Sequence, residues 1–427
     1  MPRRSTVDSG FGSHMRELRK QRNISFRDLA RLTLASKSKL YQIETGRVVP
    51  DAETAQLIDN ALNACGDLAR LAQLGQEGQP APLLPRREFL GVAASAVALA
   101  PLMDHLKAGR QLGGNLVRQL LMNTARLRRL DDYFGGADTY ELFAEEVEAT
   151  ALLLHEGSYP EATGRQLLAL LSEQAQLAGW AAFDAGWQPQ ARHMYELSLQ
   201  AAQEAGDPSL TGNAFAFLGY QRLTVGEPPI EDLTAACEWA ERGSPPKVRT
   251  LLHCRRAWAH ANIGDASQTQ RHLDIAADAL TVSAQAAEPD WVYWVDGLEH
   301  DIMTGRCWAA LRRPLRAIKA LEDALDCYDD THGRDKGLYL SFLADAYLEA
   351  NEIEQACAVA SKAMDLCAGV GSVRPHERIR NLIGRMEPVQ PAVADLRTRA
   401  EQVFNLRQLS APPTGRTAVT LQPGTRR

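Results

Sequence analysis

From about residue 111 the apolar positions recur with the period of a helix, and strand-like alternation is almost absent. Self-comparison aligns five turn residues, Gly186, Gly226, Gly264, Arg312 and Asn351, spaced 40, 38, 48 and 39 residues apart. Seven positions before each stands a small residue: Gly179, Gly219, Ala257, Gly305 and Ala344. Five positions after stand Ala191, Ala317 and Ala356, with Glu231 and Thr269 as exceptions, and nine after stand Tyr195, Ala235, Leu273, Leu321 and Ala360. Small residues at fixed offsets let paired helices approach closely, so the pattern predicts a stack of helical hairpins. Pro228 and Pro229 are expected to displace the second helix of the second repeat, and the 48-residue gap predicts an insertion around Val282 to Asp290. Further helices are predicted over 112–129 and 139–156 before the array, and over 376–386 and 392–406 after it, where they cap its ends.

The first 68 residues are patterned differently. A first helix is predicted from Phe11 to Arg22. Ser25 and Asp28 form a capping signature that opens a helix carrying Leu29, Ala30 and Leu32 on its apolar side. Ser36 offers a second N-cap, and the next helix runs from Lys37 to about Thr45, where Gly46 terminates it. Its inward positions are Leu40 and Ile43, leaving Lys37, Ser38, Lys39, Tyr41 and Gln42 outward. Short polar, basic and amide side chains on one exposed helical face are what reading base edges in a major groove requires. Pro50 and Asp51 start another helix with Leu57, Ile58, Ala61 and Leu62 as its buried side.

Residues 11–68 resemble the Xre/Cro-type helix-turn-helix family, through Leu29 and Ala30 opening the second helix and the E-x-G-x-x-x-P ending at Glu44, Gly46 and Pro50. At the turn where that family usually has Gly, this chain has Leu34, which bears a steric cost if the turn needs a positive φ. The resemblance implies that the second helix of the pair lies in the major groove of double-stranded DNA. Lys37, Ser38, Tyr41 and Gln42 would then face bases, with Lys39 and Arg47 nearer phosphate, and Arg27 and Arg31 as further phosphate contacts. The hairpin stack in turn resembles a degenerate tetratricopeptide array with repeats longer than usual. Together these give an all-α chain, a five-helix helix-turn-helix domain joined to a tetratricopeptide-like helical solenoid.

Charge sharpens this division. The whole chain carries −6, yet residues 1–50 hold 11 Lys and Arg against 4 Asp and Glu, leaving −13 on the remainder. A basic head on an acidic body concentrates phosphate attraction at one end. The expected domains are the head at 1–68, a linker at 69–110, the repeats at 111–408 and a disordered tail at 409–427. Within the linker, Gly75 to Pro85 is rich in Gly and Pro, and Arg86 and Arg87 precede an apolar stretch that imitates a twin-arginine export signal. Lying behind the head and too short to span a bilayer, this stretch is expected to be an internal helix packed on the large domain or on a second subunit. The same combination resembles large actinobacterial regulators with helical-repeat bodies.

No catalytic constellation emerges: there is no P-loop, no G-x-G-x-x-G after a strand, no G-x-S-x-G and no H-E-x-x-H. An enzyme is not expected, nor is a cofactor or a metal. The seven Cys contain no C-x-x-C pair and are read as reduced, mostly buried residues of a cytoplasmic protein. His253, His260 and His272 fall on one repeat and are read as helix-surface residues rather than metal ligands. Trp291, Tyr293 and Trp294 are either core between the third and fourth repeats or part of an effector site. The reading is a cytoplasmic, sequence-specific transcription regulator that binds DNA as a homodimer, without a membrane, and senses a peptide or protein effector on its repeats. The last point follows a likeness of layout to the peptide-responsive regulators of Gram-positive bacteria. The alternative is a repeat-based interaction adaptor with weak or non-specific DNA binding.

Overall fold

The computed structural model describes residues 11–68 and 112–405, except positions 23, 26–28, 31–32, 34–36, 45–49, 51, 63, 65–67, 113, 132–133, 228, 283–286, 329–331, 369 and 388–389. The linker, the twin-arginine-like segment and the tail therefore lie outside the described residues, as do Leu34, Gly46 and Cys65. The chain divides into two compact units, Met1–Val92 and Ala93–Arg427. Among the described residues both are helical, with no strand.

The first unit contains α1 (Phe11–Gln21), α2 (Lys37–Glu44) and α3 (Ala52–Ala61), with Leu29, Ala30 and Thr33 also helical. One core joins Phe11 and Met15 of α1, Leu29, Leu40 and Ile43 of α2, and Ile58 and Leu62, so residues spread along the sequence converge on one small apolar centre. Leu57, expected inside, is 37% exposed, because Ile58 and Ala55 already hold the inward side of α3.

Among the described residues the second unit opens with α4 (Gly114–Asp131) and α5 (Gly136–Glu156). Five hairpins follow: α6 (Glu161–Asp184) with α7 (Gln188–Ala205), α8 (Pro208–Thr224) with α9 (Ile230–Ala240), α10 (Pro246–Asn262) with α11 (Ala266–Thr281), α12 (Gly297–Ala310) with α13 (Pro314–Asp326), and α14 (Gly333–Glu349) with α15 (Ile353–Cys367). The final pair is α16 (Arg374–Gly384) and α17 (Pro391–Asn405).

The five turn residues read from the sequence are the five hairpin turns, and each is left-handed: Gly186 at φ 84°, Gly226 at 80°, Gly264 at 82°, Arg312 at 53° and Asn351 at 64°. In every case the next residue's N–H reaches back across the turn, as from Trp187 to the Ala182 carbonyl at 2.8 Å and from Glu352 to that of Tyr347 at 2.9 Å. This closure satisfies carbonyls that the helix end would otherwise orphan, and it requires the positive φ. The small residues upstream seat the partner helix. A Cβ on Gly179 would lie 2.5 Å from the Tyr195 ring, and one on Gly305 would lie 2.6 Å from Leu321 Cγ. In four hairpins the second helix begins two residues after the turn residue, whereas α9 begins four after Gly226, behind Pro229. Its buried positions shift with it: Leu233 and Cys237 take the places that Ala191 and Tyr195 occupy in the first hairpin.

The array does not end as an open arc. Asp184, at the end of α6 and fully buried, receives Arg374 Nε and Ser372 Oγ, both at 2.7 Å, and the Gly136 N–H at 3.0 Å. Its own carbonyl accepts from Val373 N at 2.8 Å. Nearby, Arg334 on α14 donates to Asp131 on α4 at 2.7 Å. Burial raises the Asp184 carboxyl, but Arg374, Arg334 and the Gly136 amide more than offset it and hold it below its ordinary range. The helices before the array and those at its end thus clasp each other through buried ion pairs.

Candidate functional site

In the head, α2 is fixed by its neighbours. Glu44 at its end receives both Arg19 Nε (2.7 Å) and Arg19 Nη2 (2.8 Å), a two-point clamp from α1. Arg19 also donates to the Ile24 carbonyl at 3.2 Å, so one guanidinium ties together α1, the segment after it and α2. That clamp raises the pKa of Arg19. Gly12 allows the close approach: a Cβ there would lie 2.7 Å from the Ile43 carbonyl oxygen and 2.8 Å from that of Glu44. On the other flank Lys39 Nζ donates to Thr54 Oγ1 of α3 at 3.0 Å. Within α3, the buried Asp59 carboxylate accepts from Leu68 N at 2.8 Å and ties the chain after the helix back to it.

Of the residues expected to meet DNA, Lys37, Ser38, Lys39, Tyr41 and Gln42 lie on α2. Lys39 is half-buried and holds α2 to α3, a scaffolding role in addition to any contact with phosphate. The side chains of Lys37, Ser38, Tyr41 and Gln42, and the whole of Arg27, Arg31 and Arg47, lie outside the described residues. Arg19 had no place in the sequence reading. Its only signal was that Glu44, part of the terminal motif, needs a cationic partner on a neighbouring helix.

This packing gives α2 a rigid seat with its Leu40–Ile43 edge buried. Residues 11–72 match a helix-turn-helix domain family. No curated protein matches the chain. The helix-turn-helix domain is a DNA-binding fold, and the match spans the three helices and the core described above.

Two readings of the body change. His253, His260 and His272 are buried, not on the helix surface. His253 and His272 stack, with their Nδ1 atoms 3.0 Å apart, and His260 stacks on the other side of His272. Burial, then Arg256 and the neighbouring imidazoles, push His272 down to about 3, and burial lowers His253 and His260 as well. Among the described residues no group of three or more His, Cys, Asp or Glu is placed to hold a metal ion. Trp291 and Val292 belong to a core with Leu210, Val248 and Leu252. This core is that of the second and third hairpins, displaced from the expected boundary because the inserted 3-10 turn Asp290–Val292 folds back over α4 and α10. Asp290 at its start pairs with Arg128 and Arg129 of α4. Of the described cysteines Cys327 is exposed and the others are buried and free. Among the described residues no helix is long and apolar enough to cross a membrane.

Proposed function

We propose that the protein is a sequence-specific DNA-binding transcription regulator of the Xre/Cro type, acting in the cytoplasm by binding rather than by catalysis. The observation that carries the reading is the match of residues 11–72 to a helix-turn-helix domain. The seating of α2 supports it: with Leu40 and Ile43 in the core, a helical period puts positions 38, 41 and 42 on the opposite face. The basic excess confined to the first 50 residues supplies the attraction to phosphate. The body is read as a tetratricopeptide-like solenoid that joins two copies and responds to an effector, changing the spacing of two heads. A dimer would favour half-sites about 10 bp apart or a multiple of that.

The test is selection from random duplexes with the full chain, followed by affinity measurements on the enriched site. Gln42→Ala is expected to cost about 1–3 kcal/mol on that site and to relax preference at one base pair. Arg31→Ala is expected to weaken all sequences alike and to flatten the salt slope. A Gln42→Ala variant with unchanged sequence preference contradicts the placement of α2. Binding that is only salt-sensitive and blind to sequence favours an interaction adaptor instead.

A further inference from the structure

Three of the five positions at one point of the repeat register face a cavity inside the clasped array. One position beyond the small residues, six before the turns, stand Trp180, Tyr220, Trp258, Arg306 and Asp345. Trp180, Tyr220 and Arg306, together with Phe217, Arg255 and Asn213 of the same inner helices, line a cavity of about 440 Å³ that Trp291 and Trp294 of the insertion complete. Pockets of roughly 300–1,000 Å³ suit single small molecules. The clasp through Asp184 and Arg374 brings the two ends of the array together around this space, in contrast to the open groove that an extended peptide needs.

The charges around the cavity do not cancel group by group. Arg334 takes up Asp131 and Asp335, Arg128 takes up Glu173 and Asp290, and Arg374 takes up Asp184. Asp296 caps α12 by accepting from Glu299 N at 3.0 Å. Glu299 accepts from Tyr339 Oη at 3.0 Å, and burial keeps its carboxyl raised although Arg255 and Arg306 pull it down. Two guanidiniums remain without a paired carboxylate among the described residues. Arg306, 3% exposed, donates to Tyr220 Oη at 2.9 Å and to Met303 Sδ, with its Nε buried and unpartnered. Arg255 donates only to Met303 Sδ, at 3.5 Å. Beside them Asn213, 2% exposed, leaves both its amide nitrogen and its amide oxygen without a partner. Buried donors without acceptors are costly, and an anion in the cavity would relieve that cost. The potential is positive enough that Tyr220, which burial alone would raise, is brought down to about 7 by Arg306, Arg374 and Arg255.

We propose that this cavity binds a small organic carboxylate with a compact apolar body, its carboxylate received by Arg255 and Arg306 and its body held among Trp180, Phe217, Trp291 and Trp294. Asn213 supplies a donor and an acceptor to a polar substituent on the same molecule. Calling this ligand the effector rests on the regulator reading; the binding itself does not, and is measured without DNA.

The experiment is calorimetry on the full chain with a panel of aromatic and alicyclic monocarboxylates, each paired with its neutral primary amide, and with a pool of ten-residue peptides. At least one carboxylate is expected to bind saturably, with its amide about ten-fold weaker or worse. Arg255→Gln is expected to weaken the carboxylate about ten-fold while leaving the amide within about two-fold. Arg306→Gln gives the same signature if it folds, and the half-buried Arg255 serves as the variant that does not depend on it. The proposal is overturned if no carboxylate binds below about 1 mM, if amides bind as well as acids, if Arg255→Gln is silent, or if only the peptides bind. DNA affinity of the same preparation, measured in parallel, separates this result from failure of the regulator reading.

Discussion

At the residue scale, the turn positions show how a backbone requirement becomes visible in a sequence. Gly186, Gly226 and Gly264 align because each closes a helix with a positive φ. Arg312 and Asn351 occupy the same conformation without being glycine, so they were found by spacing and not by type. Gly264 isolates the effect, since a Cβ there meets nothing within 4 Å. Gly264→Ala should therefore cost about 1–2 kcal/mol through backbone strain alone, read as a lower denaturation midpoint with an unchanged slope. An alanine variant as stable as the parent would show that the turn can relax. Arg19 is the opposite case: nothing local in the sequence singles it out, because its importance lies in a partner, Glu44, 25 residues away on another helix.

At the scale of elements, the hairpins were legible because two helices that pack closely need small residues at a fixed distance from their turn. The exposure of the three histidines was misjudged for a related reason. Spacing places His253 and His260 on one side of α10, but only the packing of α11 decides that this side is covered and that His272 comes to lie between them. The consequence is an acid-sensitive hairpin. Above about pH 6.5 the imidazole of His272 is neutral whether the chain is folded or not. As the pH falls below that value the unfolded chain takes up a proton that the folded one refuses until about pH 3, so stability drops through this window. Chemical denaturation at pH 7 and pH 4.5 should show a loss that His272→Asn reduces by roughly 1–2 kcal/mol. Equal pH dependence in the two proteins would show that the pocket admits the charged ring.

At the scale of the whole molecule, fold class followed from periodicity and the helix-turn-helix head from its capping residues and a family resemblance, whereas the clasp and the cavity followed from neither. Asp184 lies 190 residues from Arg374, and Asp131 lies 203 from Arg334, separations at which an ordinary Asp and an ordinary Arg carry no sequence signature. The cavity residues were nearer to hand, since Trp180, Tyr220 and Arg306 sit one place beyond the small residues already aligned. Their meaning depends on the array closing. Asp184→Ala leaves the buried Arg374 only Asp335, 3.9 Å away, as a carboxylate partner and should cost about 3–5 kcal/mol. It should also loosen the ends of the second unit, seen as faster amide exchange in 134–138 and 371–376. A small loss confined to α6 would mean that the clasp is not a stabilising element.

The proposed function turns on whether α2 reads bases. The most direct measurement is the ratio of affinities for the selected duplex and a scrambled one at fixed salt near 0.15 M. A ratio of about 10³ or more is expected for the parent chain, reduced about ten-fold or more by Gln42→Ala and left nearly unchanged by Arg31→Ala. A ratio near one for the parent, with both variants differing only in salt dependence, would contradict it.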